Sequence, residues 1–391
     1  MNYPLASTTW DESEYQAMDR VIRSGNFTMG TEVSDFERRF SDFVGSRFAV
    51  MVNSGSSANL AMISALFFRK KGCLARGDEV IVPAVSWSTT YAPLQQLGLK
   101  LKFVDIDKET LNIDLNALRS AITDKTRLLF AVNLLGNPND FLKIKNIIKN
   151  TNIILVEDNC ESLGASFEGR QAGTFGLMGS YSSFFSHHIS TMEGGVIVTD
   201  DEELHQIVLC LRAHGWTRNL PKRNLITEVK SDNSFYESFR FVLPGYNLRP
   251  LELSGAIGKE QINKLRSFIT TRRTNAAYFR DRFEGDSRFR IQIETGESSW
   301  FGFSIQIREG VDISRQKILE CLEKFKIEFR PVVAGNFVNS EAIKWFDYSV
   351  HGELPNANHL DNFGFFVGNH HYSIIEQIDL LRTALNQLRC V

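Results

Sequence analysis

Seven short apolar segments, spaced along the first half of the chain, constrain its fold more than any other feature. They are FAVMVNSG, EVIVPAV, LKFVDI, RLLFAVNLLG, NIILVED, GSYSSFF and GVIVTD. Strands that are apolar along their length, rather than alternating, are buried on both faces. That requires a mostly parallel sheet with helices covering both sides. The intervening stretches SSANLAMISALFF, DLNALRSAI, FLKIKNIIKN and DEELHQIVLCLRAHG read as those helices, the last opened by acidic residues. After about Asn247 the pattern changes. A helical run, PLELSGAIGKEQINKLRSF, leads into the strands WFGFSIQI and IEFRPVV and the helix SRQKILECLEKF. The expectation is therefore an α/β protein with a large domain over residues 1–255 and a smaller C-terminal α+β domain over 256–391, the division falling near 250–265.

Composition removes several classes of function. A net charge of −2 over 391 residues gives no electrostatic case for nucleic acid or an anionic membrane. The opening MNYPLASTTWDESEY has neither a basic leader nor an apolar core, so no secretory signal is expected. The five cysteines (Cys73, Cys160, Cys210, Cys321 and Cys390) are odd in number and scattered, with no CxxC pair. Metal or iron–sulfur ligation is not expected, and a reducing cytoplasm fits.

Four features sit at carboxyl ends of strands, where open α/β sheets bind ligands. Asn53-Ser54-Gly55-Ser56-Ser57-Ala58-Asn59 is a strand–turn–helix junction, either a phosphate site at a helix N-terminus or an ordinary N-cap. Asp158 ends NIILVED and is either a helix cap or a partner for a cationic ligand. Trp87, just past EVIVPAV, either stacks on a planar ring or fills a core or hinge position. The fourth is SSFFSHHISTMEGG, residues 182–195, with His187 and His188 between hydroxyl-bearing residues and a Glu-Gly-Gly turn. Two adjacent histidines raise the case for proton chemistry without settling it.

The order SGSSAN, VPAVSW, VEDNCES, SFFSHHISTMEGG and GYNLRP resembles the sugar aminotransferase family that uses pyridoxal 5′-phosphate (PLP), over nearly the whole chain. The resemblance implies fold type I: a mostly parallel seven-stranded sheet flanked by helices in the large domain, with an N-terminal arm, and a smaller α+β domain. In aminotransferases of this family the position six residues before Glu-Gly-Gly is the lysine that tethers the cofactor. Here it is His187, and no lysine occurs between Asn150 and Pro221. This departure marks the sugar 3-dehydratase subgroup. VPAVSWSTTY, VNLLGNPN, AGTFGLMG, LRAHGWTRNLP and GESSWFGF resemble its branch acting on a GDP-linked 4-keto-6-deoxyhexose, on the route to colitose-type sugars of O-antigen. A related CDP-sugar branch also has histidine but carries an iron–sulfur cluster, which the cysteine spacing here does not support.

By the resemblance, Asp158 would pair with the pyridinium nitrogen and Trp87 would stack on the ring. Gly55, Ser56, Ser182 and Ser186 would hold the phosphate, Glu161 would meet the ring hydroxyl, and Asn247 would reach the cofactor of a partner subunit in a homodimer. His187 would be the acid/base, since imidazole moves protons near neutral pH but forms no covalent tether. The cofactor would then work in its pyridoxamine form, recharged by L-glutamate. His188 would be structural or would support its neighbour. His214, Arg218, Arg249 and Arg330 are candidates for substrate or glutamate contacts, with surface ion pairs as the alternative for the arginines. His370 and His371 read as structural. Two other readings compete: an aminotransferase that has recruited a different base, and an inactive sugar-nucleotide-binding paralogue.

Overall fold

All seven apolar segments form strands: β1 (Phe48–Val52), β2 (Glu79–Pro83), β3 (Lys100–Val104), β4 (Thr126–Val132), β5 (Ile154–Asp158), β6 (Met178–Ser182) and β7 (Gly195–Thr199). The structure, a computed structural model, describes residues 2–388, so Cys390 lies outside the described residues. The C-terminal part of the chain adds β8 (Phe289–Ile291), β9 (Gly302–Ile307), β10 (Phe329–Arg330), β11 (Tyr348–Val350) and β12 (Gly364–Gly368).

The large sheet has the order β1-β7-β6-β5-β4-β2-β3-β11. Within it, β7 runs against both of its neighbours. The expected seven strands are thus joined by an eighth, contributed by the C-terminal half and parallel to β3. All three of its residues are exposed, so no apolar run announces it; pairing with Leu101–Phe103 makes it a strand.

Alternate residues along the strands feed opposite faces. Val50 and Val52 of β1 join one cluster with the helices Gly55–Ala65 and Glu202–Arg212. Ala49 and Met51 join another with the helices Thr31–Val44 and Glu252–Phe283. Burial of each of these valine and methionine side chains contributes about 1.5–3 kcal/mol, and this two-sided burial is why the segments read as continuous apolar runs. Helix starts follow the usual chemistry: Asp201 caps Glu202–Arg212 by accepting from the Leu204 amide at 3.0 Å.

The helix Glu252–Phe283 is 32 residues long and spans the position expected for the domain division. Beyond it, β8-β9-β12-β10 form an antiparallel sheet packed with the helices Arg315–Lys324 and Ile375–Asn386 around Phe279, Phe303 and Phe365. IEFRPVV yields only the two-residue β10, because Pro331 has no N–H to continue a ladder. The N-terminal residues cross back to this lobe: Tyr3 bridges to Ile327 and its hydroxyl donates to the Gly368 carbonyl at 2.6 Å. Among the described residues no helix is long and apolar enough to cross a membrane.

Candidate active site

A cavity of about 740 Å³ opens at the carboxyl ends of the central strands, where the sheet's topology places ligand sites. Its walls come from the turn after β1, the loop after β2, the ends of β5 and β6, and the second lobe.

The turn after β1 is the N-cap that its sequence allows. Ser54 caps the helix Gly55–Ala65, accepting from the Ser57 amide at 3.0 Å, and the helix N-terminus faces the cavity. A side chain at Gly55 would put its Cβ 2.6 Å from Ser182 Cβ and 3.0 Å from Cys160 Sγ, so glycine alone allows β1 and β6 to close here. The Ser56 hydroxyl donates to Thr89 Oγ1 at 2.8 Å.

Asp158 ends β5 and is 5% exposed. Its Oδ2 accepts from Asn59 Nδ2 at 2.8 Å and Thr90 Oγ1 at 2.7 Å, and its Oδ1 from the Cys160 amide at 3.1 Å. Neutral donors hold it in place, and its charge still faces the cavity with no ion-pair partner among the described residues. That is the arrangement a cationic ligand atom needs. The Cys160 thiol is pushed well up, first by burial and then by the Asp158 charge, which favours the protonated thiol over the nucleophilic thiolate. Glu161 accepts from the Leu135 amide at 3.0 Å. Burial, aided by Asp158, raises its carboxyl to about 7 against that hydrogen bond. Trp87 stands at the start of the helix Ser88–Gln96 with 58% of its surface exposed, an unusual state for a ring on a cavity wall and one suited to stacking.

The histidine segment is a loop of turns rather than an extended strand. Its neck is closed by the Thr191 amide donating to the Ser183 carbonyl at 2.9 Å and by the Ser183–Thr191 hydroxyl pair at 2.6 Å. The His187 ring reaches the cavity, tilted edge-on to Phe184 and Phe301 with centroids 5.9 and 5.1 Å away. Its Nδ1 has no partner among the described residues. Burial, then the Arg272 charge, pulls its imidazole down to about 4, so it is neutral at physiological pH and free to accept a proton. His188 turns the other way. It is 1% exposed and donates from Nε2 to the Ser299 carbonyl at 3.1 Å.

Of the residues singled out from sequence, Ser186 and Arg330 also line the cavity. Arg330 is exposed, its guanidinium bonded to the Phe329 carbonyl at 2.8 Å. His214, Arg218, Asn247 and Arg249 do not line it. His214 packs on Trp216, Arg218 lies over the Trp216 ring at 5.3 Å, and Arg249 donates to Asn247 Oδ1 at 3.0 Å. His370 bonds Ser7 Oγ at 2.8 Å and the Pro4 carbonyl at 2.9 Å, securing the N-terminal residues. The cavity also holds Asn59, Thr89, Cys160, Glu193, Phe301 and Phe366, to which sequence reasoning assigned no individual role. Asn59, Thr89, Cys160, Glu193 and Phe301 lie inside stretches already recognised, whereas Phe366 comes from the second lobe with no local signal.

The profile of the DegT/DnrJ/EryC1/StrS aminotransferase family matches residues 8–371. The chain is 59% identical over 386 residues to the GDP-4-keto-6-deoxy-D-mannose 3-dehydratase of Escherichia coli O55:H7 (strain CB9615 / EPEC), a match covering 98% of this chain and 100% of that protein. A solved structure of GDP-4-keto-6-deoxymannose-3-dehydratase with a trapped PLP-glutamate geminal diamine superposes with a TM-score of 0.97 at 59% identity, covering 98% of this chain and 100% of the other. A mutant of that enzyme with bound GDP-perosamine gives the same TM-score, identity and coverage. With its carboxyl-end cavity, buried Asp158 and helix N-terminus at Gly55, the chain belongs to the DegT/DnrJ/EryC1/StrS aminotransferase family.

Proposed function

We propose that this chain is a PLP- and L-glutamate-dependent nucleotide-sugar 3-dehydratase. It removes the carbon-3 hydroxyl of GDP-4-keto-6-deoxy-D-mannose, giving GDP-4-keto-3,6-dideoxy-D-mannose, ammonia and 2-oxoglutarate, in dideoxysugar (colitose-type) biosynthesis for O-antigen. One observation carries the reading: among the described residues an imidazole, and no lysine, lines a cavity otherwise built for this cofactor.

The residues present fit the group. Gly55, Ser56 and Ser182 form a cradle too close-packed for a Cβ at residue 55, which suits a phosphate; Ser186 stands beside it. Asp158 offers an unpaired buried carboxylate to a protonated ring nitrogen, Trp87 a free face to the ring, and Glu161 a carboxyl to its hydroxyl. The bound pyridoxamine form supplies the amine that engages the carbon-4 ketone and the electron sink that drives loss of the carbon-3 substituent.

His187 moves the proton. Starting neutral, it acts as base; once protonated, the burial that makes it a modest base makes it a strong acid. That strength suits protonation of the carbon-3 hydroxyl, a poor leaving group. Arg330 stands at the cavity wall with no carboxylate partner among the described residues, available to an anionic substrate group. We infer further that two copies assemble, with Asn247 reaching the partner's cofactor phosphate, and that His214, Arg218 and Arg249 serve substrate or glutamate from outside the cavity wall. The exposed Phe235, Phe239 and Phe241 in the same region support an interface. A reducing cytoplasm suits the four described cysteines, all unpaired.

The test is to incubate purified protein with PLP and L-glutamate, add GDP-4-keto-6-deoxy-D-mannose, and analyse the sugar by mass spectrometry. The expected product lacks one oxygen and forms with one equivalent of ammonia. An amine retained on the sugar would sink the dehydratase in favour of an aminotransferase, and inertness with bound cofactor would favour a binding protein.

A further inference from the structure

Arg272 lies in the middle of the helix Glu252–Phe283 and is 4% exposed. Its Nη1 donates to three backbone carbonyls: Asn369 at 2.8 Å, Phe301 at 3.1 Å and Trp300 at 3.4 Å. Among the described residues its buried Nε has no partner, and no carboxylate pairs with the guanidinium. A guanidinium held this way carries a desolvation cost that packing alone would avoid with an apolar side chain.

The carbonyls it holds indicate what the charge is for. Trp300 has φ +47°, a left-handed backbone that a bulky residue adopts only under constraint. Its carbonyl also accepts from Asn369 Nδ2 at 2.9 Å. On the other side, the Ser299 amide donates to the Gly136 carbonyl at 2.9 Å and the Phe301 amide to that of Leu135 at 3.0 Å. The segment 299–301 is therefore clamped from both sides, and both histidines rest on it. Ser299 accepts from His188, and the Phe301 ring packs 5.1 Å from the His187 ring and 5.9 Å from that of His188.

We propose that Arg272 is a positioning residue for His187: it fixes the Trp300–Phe301 backbone that seats the imidazole, and its unpaired charge opposes formation of an imidazolium beside it. The inference rests on the reading of His187 as the acid/base. The other charged or titratable groups lining the cavity with His187 are Asp158, Cys160 and Glu161 at and after the end of β5, Glu193 at the end of the loop, and Arg330 from the second lobe, with His188 next to His187 on the loop. The depressed imidazole, with Arg272 its second cause after burial, agrees with the geometry.

The test uses apoprotein with histidine labelled at Cε1, the His187 resonance being assigned by its loss in His187→Asn. NMR titrations compare the wild type with Arg272→Gln and Arg272→Lys. Arg272→Gln should raise the His187 midpoint by about one pH unit, and Arg272→Lys should leave it near the wild-type value. In the loaded enzyme Arg272→Gln should lower kcat for dehydration about tenfold with KM within about twofold. An unchanged midpoint and unchanged kcat in folded Arg272→Gln overturn the proposal. If that variant does not fold, Asn369→Ala decides: it keeps the charge and weakens the clamp, so kcat should fall while the midpoint stays, and an unaltered kcat refutes positioning. Should the wild type fail to dehydrate the sugar at all, the assigned reaction fails, while the titration still reports whether Arg272 acts on His187.

Discussion

Replacing Glu161 by glutamine in the cofactor-free protein should make it more stable in alkaline than in acid solution, relative to the wild type. Glu161 accepts the Leu135 amide, a bond that a glutamine carbonyl oxygen keeps. What changes is the charge. The folded state raises this carboxyl from its ordinary 4.5 to about 7, so between those values the folded protein binds a proton that the unfolded chain has released. Stability from this group is present below pH 4.5 and is lost as pH rises toward 7. At about 1.4 kcal/mol per pH unit the full gap is worth about 3 kcal/mol. Roughly 2 kcal/mol of that falls between about pH 5.5 and 8. Solvent reaching the side chain through the cavity reduces the expected difference to about 1 kcal/mol. Urea unfolding of wild type and Glu161→Gln at both pH values measures it. A glutamine effect that is the same at the two pH values, or one that turns destabilising in the alkaline arm, would refute the account of an ionised group in an unfavourable place.

Two further outcomes follow from the same cavity. Gly55→Ala places a Cβ 2.6 Å from Ser182 Cβ; overpacking of about 1–3 kcal/mol should weaken PLP binding about 5- to 150-fold in a fluorescence titration, and unaltered affinity would remove this turn from the phosphate cradle. His187→Asn should abolish dehydration while PLP still binds, as read from its absorbance; near-normal turnover would take His187 out of its central role.

The large sheet was legible because two-sided burial writes itself into the sequence as continuous apolar runs, and all seven became strands. β11 was not, since three exposed residues carry no pattern and owe their conformation to β3. The strand-end signals near Gly55, Trp87, Asp158 and His187 were readable because each is local: a cap, a turn or a residue following a buried strand. Phe301 and Arg272 were hidden for the opposite reason. Phe301 lies in the recognised stretch GESSWFGF but reads there as one more aromatic before a strand, and Arg272 sits in the run TTRRT like a solvated helix face. Only the packing of the long helix against the second lobe turns one into a wall for His187 and buries the other. His188 turns away from the cavity through a loop of turns, which no local pattern in the sequence specifies.

The clamp on the 299–301 segment also has a consequence in time. His188 and its acceptor at Ser299 are 111 residues apart. A ribosome adding roughly 5–20 residues per second needs on the order of ten seconds to cover that distance. Throughout it both imidazoles are already in the nascent chain while the backbone that seats them has not been made. The acceptor of the Tyr3 hydroxyl follows later still, 365 residues on at Gly368. Most of the sheet can pair while the chain is growing, but the histidine loop gains its seat only in the last quarter of synthesis. The scaffold is old by the time the chemistry becomes possible.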